Sequence, residues 1–361
     1  MSEEQALQKA SLVAPADLMR FAATVLCAVG LSEEDARITA WALVEANLEG
    51  LDTHGVSRLA LYARRVKAGL AAARPSMRWT HPAPAIAHLD AANALGPVAA
   101  VAAIDEAVRL AKRQGVGMVA VAHTNHAAAF SVYTERAARQ GCLALMVGNT
   151  PPGVPPWGGK TAFLGTNPLA FTAPGPAASD PPVIVDMATS VVARGNIIMA
   201  ARQQQAIPTG WAIDPEGLPT TDAQAALAGA VLPMAGAKGY ALGLMIEILA
   251  STLSGAGWGP QVRSPYEDWS SPTNAGLWCL AIDLAPLVPP DDYASRLGGL
   301  LDALRAAPAA PGQSIRIPGE RRAAVHARRM QEGIPLDAAT RAELDTLSAE
   351  VSVDPLVWRE V

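Results

Sequence analysis

The sequence predicts a mixed α/β protein of the α+β type, helical at both ends with strands and helices interleaved between them. Two observations carry this. The first eighty residues, and the segment after Pro308-Ala309-Ala310-Pro311, show helical spacing of apolar positions. In the middle, apolar strand-like runs end in clusters of small polar residues. Val116 to Ala122 leads into His123-Thr124-Asn125-His126, and Cys142 to Val147 into Gly148-Asn149-Thr150. After a proline-rich turn comes Leu164-Gly165-Thr166-Asn167-Pro168, and Val183 to Val185 leads into Asp186-Met187-Ala188-Thr189-Ser190. Polar ends converging on apolar strands are how such folds build ligand sites. The length of 361 residues, half of them hydrophobic, suits two domains with a substantial core.

Pro15 to Val29 and Ser32 to Leu48 have helical periodicity, and Ser32 before Glu33, Glu34 and Asp35 predicts an N-cap with an acidic first turn. After the break at Gly50-Leu51-Asp52, Thr53 is a second N-cap candidate. Its helix would carry His54, Arg58, Leu61, Tyr62 and Arg65 as far as Gly69. Trp79 to Asp90 reads as short strands, and Pro97 to Gln114 as a long helix. Strands are expected at 116–122, 142–148 and 182–187, with a helix over 127–140. Gly239 to Ser254 is apolar enough to predict a helix buried on most faces. Charged helices follow at Arg321 to Gln331 and Leu336 to Val351. Proline-rich stretches at 151–156, 174–182 and 306–311 read as rigid loops.

A net charge of −5 without a block of Lys or Arg argues against a nucleic-acid surface. No apolar run is long enough for a transmembrane helix, and the acidic start Met1-Ser2-Glu3-Glu4 lacks the pattern of a secretory signal. Cys27, Cys142 and Cys279 have no metal-type spacing and read as reduced thiols of a cytoplasmic protein. Neither a Gly-x-Gly-x-x-Gly fingerprint after a strand, nor a Walker loop, nor a Gly-x-Ser-x-Gly elbow is present.

Three constellations have the residue types for chemistry. His54 and Arg58 are four apart and would share a helix face; Arg offers a planar fork for a carboxylate and His a proton near neutrality. The competing reading is a surface pair at a helix start. In His123-Thr124-Asn125-His126, His126 would lie in the first helical turn, where the dipole keeps it neutral and basic. A polar capping turn, or a metal site completed by Asp186, are the competing readings. Thr150, Thr166, Asn167, Asp186 to Ser190 and Lys238 supply groups suited to a cofactor's ribose, amide and phosphates, although each alone would serve as a turn or cap.

With these residues placed, the chain resembles the type-2 malate/L-lactate dehydrogenase family. That family includes ureidoglycolate, sulfolactate and diketogulonate dehydrogenases and Δ1-piperideine-2-carboxylate reductases. The resemblance spans about residues 35–325. It runs through Thr53-His54-Gly55-x-x-Arg58-Leu59, Asn125-His126, Pro156-Trp157-Gly158-Gly159 and Leu164 to Pro168. It continues in Asp186 to Ser190, Gly210-Trp211-Ala212, Pro219-Thr220-Thr221-Asp222, Lys238-Gly239-Tyr240 and Pro318-Gly319-Glu320.

The resemblance implies a non-Rossmann NAD(P)-binding domain with a mainly antiparallel sheet, at 81–285. A helical domain would be formed by 1–80 and 286–361. It implies a homodimer without nucleic-acid, membrane or metal partners, using NAD or NADP to move a hydride to or from a small 2-hydroxy/2-oxo carboxylic acid. Reduction of a cyclic imino acid such as Δ1-piperideine-2-carboxylate is the alternative, and a non-catalytic ligand-binding homologue a further one. His126 then corresponds to the acid/base of part of the family, His54 to the proton donor of another part, and Arg58 to the carboxylate binder. Asn125, Thr150, Thr166, Asn167, Asp186, Met187, Ala188, Lys238, Gly319 and Glu320 would bind the cofactor. The sequence departs from the family pattern at Thr53, where Ser is common. Ala127-Ala128 replaces a bulky residue followed by Gly, and Asn196 stands where Lys often follows Gly195.

Overall fold

A computed structural model of the chain describes residues 11–358. The N-terminal part pairs a short strand β1 (Ser11–Val13) with helices α1 (Pro15–Ala28), α2 (Glu33–Leu48) and α3 (Leu59–Lys67). Ser32 caps α2 as its sequence predicts, its hydroxyl accepting from the Asp35 N–H at 3.0 Å.

The central part follows as β2 (Arg78–Ala83), β3 (Ile86–Asp90), α4 (Gly96–Gln114), β4 (Val116–Thr124), α5 (Ser131–Ala138), β5 (Cys142–Gly148), β6 (Leu169–Ala173) and β7 (Val183–Met187). A smaller unit of α6 (Arg194–Arg202), β8 (Ala212–Ile213), β9 (Pro219–Thr220), α7 (Ala223–Ala228) and β10 (Ala230–Val231) has its own cluster around Ile197 and Ala212. Helix α8 (Ala237–Glu247) then runs into a π-helical turn (Ile248–Thr252) and leads to β11 (Ala275–Asp283). The chain closes with α9 (Pro290–Ala306), α10 (Glu320–Glu332), β12 (Ile334–Leu336) and α11 (Ala338–Glu350). β12 pairs with β1, which ties the two ends of the described chain together.

The main sheet has seven strands in the order β2-β3-β4-β11-β5-β6-β7, and only β3–β4 is parallel. Helix α4 covers one face of β4 and β11, with Leu277, Cys279 and Ala281 buried beneath it. The π-helical turn lies against β11, β4 and β5 from the other side.

Register explains why the polar runs meet. Thr124 pairs with Ala275, Leu277 with Gly148, Val147 with Leu169, and Leu169 with Met187. β6 runs antiparallel to both neighbours, so its N-terminal lead-in joins the C-terminal ends of β5 and β7 at one end of the sheet. All four polar clusters therefore share that end.

Three local expectations are corrected. Asp52–His54 and Val56–Arg58 are separate 3-10 turns ahead of α3, so His54 and Arg58 do not lie on one α-helical face. The helix after β4 begins at Ser131, not at 127, because Ala128 has a left-handed backbone (φ 56°) and the Tyr133 hydroxyl bonds the Ala127 carbonyl at 2.7 Å. His126 is thus outside the helix. The segment 239–254 is helical but not buried on most faces, since Leu244, Met245, Ile248 and Leu253 are exposed.

Candidate active site

The loop between α2 and α3 is fixed from behind before it presents any side chain. Asn47, wholly buried in α2, accepts the Val56 N–H at 2.8 Å and donates to the Asp52 carboxylate at 2.6 Å. A Cβ on Gly55 would stand 2.1 Å from the Asn47 Oδ1, so the loop can pass here only with glycine. Arg329 of α10 grips the other side of Asp52 with both Nη atoms, at 2.7 and 3.0 Å. Helix α10, distant in sequence, thereby helps set the position of the loop that carries His54 and Arg58. The Ser57 hydroxyl adds a bond to the Asp52 carbonyl at 2.8 Å.

His54 and His126 face each other with ring centroids 5.9 Å apart and planes 26° from parallel. The Thr53 hydroxyl meets His54 Nδ1 at 2.9 Å, and the Tyr62 hydroxyl meets His126 Nδ1 at 2.7 Å. Each ring therefore has its Nδ1 occupied and its Nε2 free of these partners. Arg58 spends its Nε on the Thr53 carbonyl at 2.7 Å, which leaves its Nη edge for an anion.

Burial draws His126 well below the usual 6.5, and His54 and Arg58 act in the same direction. His54 is lowered by burial and then by Arg58, against an opposing pull from Asp186. Burial, seconded by Tyr266, raises Tyr62, so it stays a phenol. Because His126 lies outside the helix, burial and neighbouring positive charge, not the helix dipole expected from the sequence, lower its pKa.

The residues expected to meet a cofactor divide into two groups. Asn167 has no exposed surface, and its amide donates to the Gly243 carbonyl (3.0 Å) and the Glu247 carboxyl (2.7 Å). Its Oδ1 accepts the Thr150 N–H at 3.3 Å, so this side chain braces the strand ends from behind. Thr150 Oγ1 accepts the Thr166 N–H at 2.9 Å. The Asp186 carboxylate is taken up by the Ser131 N–H (3.1 Å) and Arg322 (3.3 Å). Arg322 also reaches Ser131 Oγ (2.6 Å) and Glu49 (3.2 Å). Burial and Glu135 push Glu49 up to about 7. Glu320 accepts from the Ile317 N–H and pairs with Arg305, and Gly319 (φ 106°) packs against the start of β7.

Lys238, Met187 and Ala188 keep exposed or part-exposed surface. Lys238 stands in the first turn of α8, whose N-cap, Gly236, has no side-chain cap, leaving N–H groups suited to a phosphate. Beside His126, the Asn125 amide is anchored on Asn93 and Ala94 while its buried Oδ1 has no donor. Uncapped N–H groups, a lysine and an orphan acceptor near the imidazoles fit a pyridine dinucleotide. Among the described residues no cluster of three His, Cys, Asp or Glu could hold a metal ion.

Sequence reasoning gave no role to Tyr62, Tyr266, Arg322 or Arg329. Tyr62 lies four residues beyond Arg58, and that spacing was its one local signal. Arg322 and Arg329 reach the site across more than 130 residues of chain, and nothing local announces such a contact.

The malate/L-lactate dehydrogenase family profile matches residues 13–345. The chain is 35% identical to the (2R)-3-sulfolactate dehydrogenase (NADP(+)) of Chromohalobacter salexigens, over 91% of this chain and 94% of that protein. It is 36% identical to the ureidoglycolate dehydrogenase (NAD(+)) of Escherichia coli, over 82% of this chain and 84% of that one. The solved structure of the Methanocaldococcus jannaschii sulfolactate dehydrogenase superposes with a TM-score of 0.88 at 33% identity, covering 95% and 98% of the two chains. The chain belongs to the malate/L-lactate dehydrogenase family and is an NAD(P)-dependent dehydrogenase.

Proposed function

We propose that the chain interconverts a small 2-hydroxy carboxylic acid and its 2-oxo partner, with His126 as acid/base, His54 beside it and Arg58 on the carboxylate. One observation carries this reading: two imidazoles held neutral by burial stand 5.9 Å apart beside a guanidinium with a free edge. Sulfolactate and ureidoglycolate, named in the relatives' activities, are both 2-hydroxy acids, which supports the same class.

When bound, the nicotinamide supplies or accepts the hydride at the substrate's C2. Arg58 holds the carboxylate through two parallel N–H bonds and so orients C2. In oxidation, neutral His126 accepts the hydroxyl proton on Nε2 while its Nδ1 stays on the Tyr62 oxygen. In reduction the same nitrogen returns the proton to the forming alkoxide. For Nε2 to accept, the neutral ring must carry its hydrogen on Nδ1, so the Tyr62 oxygen accepts from Nδ1–H in both states and holds the ring throughout.

The sheet unit at 81–285 is the proposed cofactor domain, with Asn125, Met187, Ala188 and Lys238 as its contacts. Thr150, Thr166, Asn167, Asp186, Gly319 and Glu320 shape it from behind. The exposed apolar face of α8 and its π-helical extension (Leu244, Met245, Ile248, Leu253) is the proposed homodimer surface. Free cysteines, two of them buried, suit a cytoplasmic location.

The test is a spectrophotometric screen of NADH and NADPH oxidation against a panel of 2-oxo acids and cyclic imino acids. Turnover of 2-oxo acids is expected. Turnover confined to cyclic imines would replace the proposed substrate class, and cofactor binding with no turnover on any acid would remove the catalytic reading.

A further inference from the structure

Between the π-helical turn and β11 the chain makes a long connection whose irregular later part carries two exposed aromatic rings, Tyr266 and Trp269. An unsupported loop of this kind would not hold one conformation. Its support is Arg65 of α3, only 2% exposed. Arg65 Nη1 donates to the carbonyls of Pro265 (3.2 Å) and Asp268 (2.8 Å), and Nη2 to that of Ser271 (3.0 Å). The guanidinium also lies 5.5 Å from the centre of the Trp269 ring. The neighbouring carboxylate, Asp268, is engaged by Ser270 at 2.6 Å and by Arg263 at 3.8 Å. A buried cation whose Nη atoms bond main-chain oxygens while its Nε has no partner is costly, and it holds those oxygens in a narrow range of positions.

What it holds in place is Tyr266. Arg58 is the N-cap of α3, and Arg65 follows seven residues later, two turns along the same face. The loop pinned by Arg65 sets the Tyr266 ring over Arg58, with the guanidinium carbon 5.2 Å from the ring centre. With Nε on the Thr53 carbonyl and one face against the ring, Arg58 is left with its Nη edge as the approach for an anion. The tyrosine remains 47% exposed, so part of the ring meets solvent while its face covers Arg58.

We propose that Tyr266 is a positioning residue for Arg58, and that Arg65 is the clamp that sets Tyr266. The ring restricts the guanidinium plane and shields the ion pair from water on one side, which tightens substrate binding without touching the proton or hydride step. This inference rests on the reading of Arg58 as the carboxylate binder.

The experiment is steady-state kinetics of the full-length enzyme with a 2-oxo acid that it turns over. Tyr266→Ala is expected to raise KM for the acid about three- to thirtyfold, with kcat and the cofactor KM within about twofold. Tyr266→Phe, which keeps the ring face, restores KM to within about twofold of the parent. Arg65→Met is expected to give the Tyr266→Ala signature, and Arg65→Lys an intermediate one, which keeps the clamp testable where the larger change unfolds the chain. Arg58→Lys is the reference. If it raises KM while Tyr266→Ala does not, the positioning role is refuted and the carboxylate reading stands. If Arg58→Lys leaves KM unchanged, the carboxylate reading falls and this inference with it. Equal losses in Tyr266→Ala and Tyr266→Phe would assign the effect to the hydroxyl and overturn the ring argument. A parent-like KM in both Arg65 variants would overturn the clamp.

Discussion

The histidine pocket and the strand-end cluster are built from similar polar residues, yet they use them in opposite ways. In the cluster, Asn149, Asn167 and the Gly259 N–H all converge on the buried Glu247 carboxyl, at 3.3, 2.7 and 2.8 Å. Asp186 is likewise taken up by Ser131 and Arg322. In the pocket, each imidazole spends one nitrogen and keeps the other, and Arg58 spends one of its three nitrogens. A polar group with all its bonds made inside the protein is scaffold; one with part of its capacity left over is available for chemistry.

Substitutions on the two sides should therefore separate activity from stability. His126→Ala is expected to lower kcat by about 10²–10⁴ while the urea midpoint barely moves. A near-normal kcat, with His54→Ala abolishing activity, would pass the acid/base role to His54. On the other side, Glu247→Ala strands three N–H donors in the interior and should cost about 3 kcal/mol or more of stability. An unchanged unfolding curve for that variant would erase the contrast between the regions.

A smaller effect is expected at the edge of the pocket. Ala128 occupies the left-handed region (φ 56°), which glycine adopts without strain, so Ala128→Gly should stabilise the fold by about 1 kcal/mol, read as a higher urea midpoint. A lower midpoint would show that the Ala128 methyl contributes more by packing than its backbone conformation costs.

The last prediction is a shift in position along the pH axis. With His126 as the proposed acid/base, its neutral form is the one active in oxidation; burial lowers its pKa, so the acid limb of kcat/KM should fall below pH 6.5. The same shift has a stability consequence. Below pH 6.5 the unfolded chain takes up protons that half-buried His54 and His126 resist, so folding weakens as pH falls through that range. A limb above 6.5, or stability rising on acidification to pH 5.5, would contradict rings held neutral.

Much of the helical framework was legible because caps and periodicity are local signals. Ser32 caps α2, and the expected Pro97–Gln114 helix is observed over 96–114. The Ala-Ala-Ala-Phe run after His126 misled for the opposite reason. Its composition favours helix, but the Tyr133 hydroxyl and the left-handed turn at Ala128 hold it open, and both depend on tertiary contacts. The apolar 239–254 segment was read as core because hydrophobicity alone cannot distinguish a face buried in the fold from one left exposed.

The residue pattern by itself determined the helical ends and the strand runs, since each depends on neighbours a few positions away; it drew attention to His54, Arg58 and His126 without fixing their local structure. Tertiary structure decided which polar groups stay free. Tyr62 meets His126 across 64 positions, Arg329 meets Asp52 across 277, and Tyr266 reaches Arg58 from a distant loop. Pairings over such separations are fixed by sheet register and helix packing, and no local spacing encodes them.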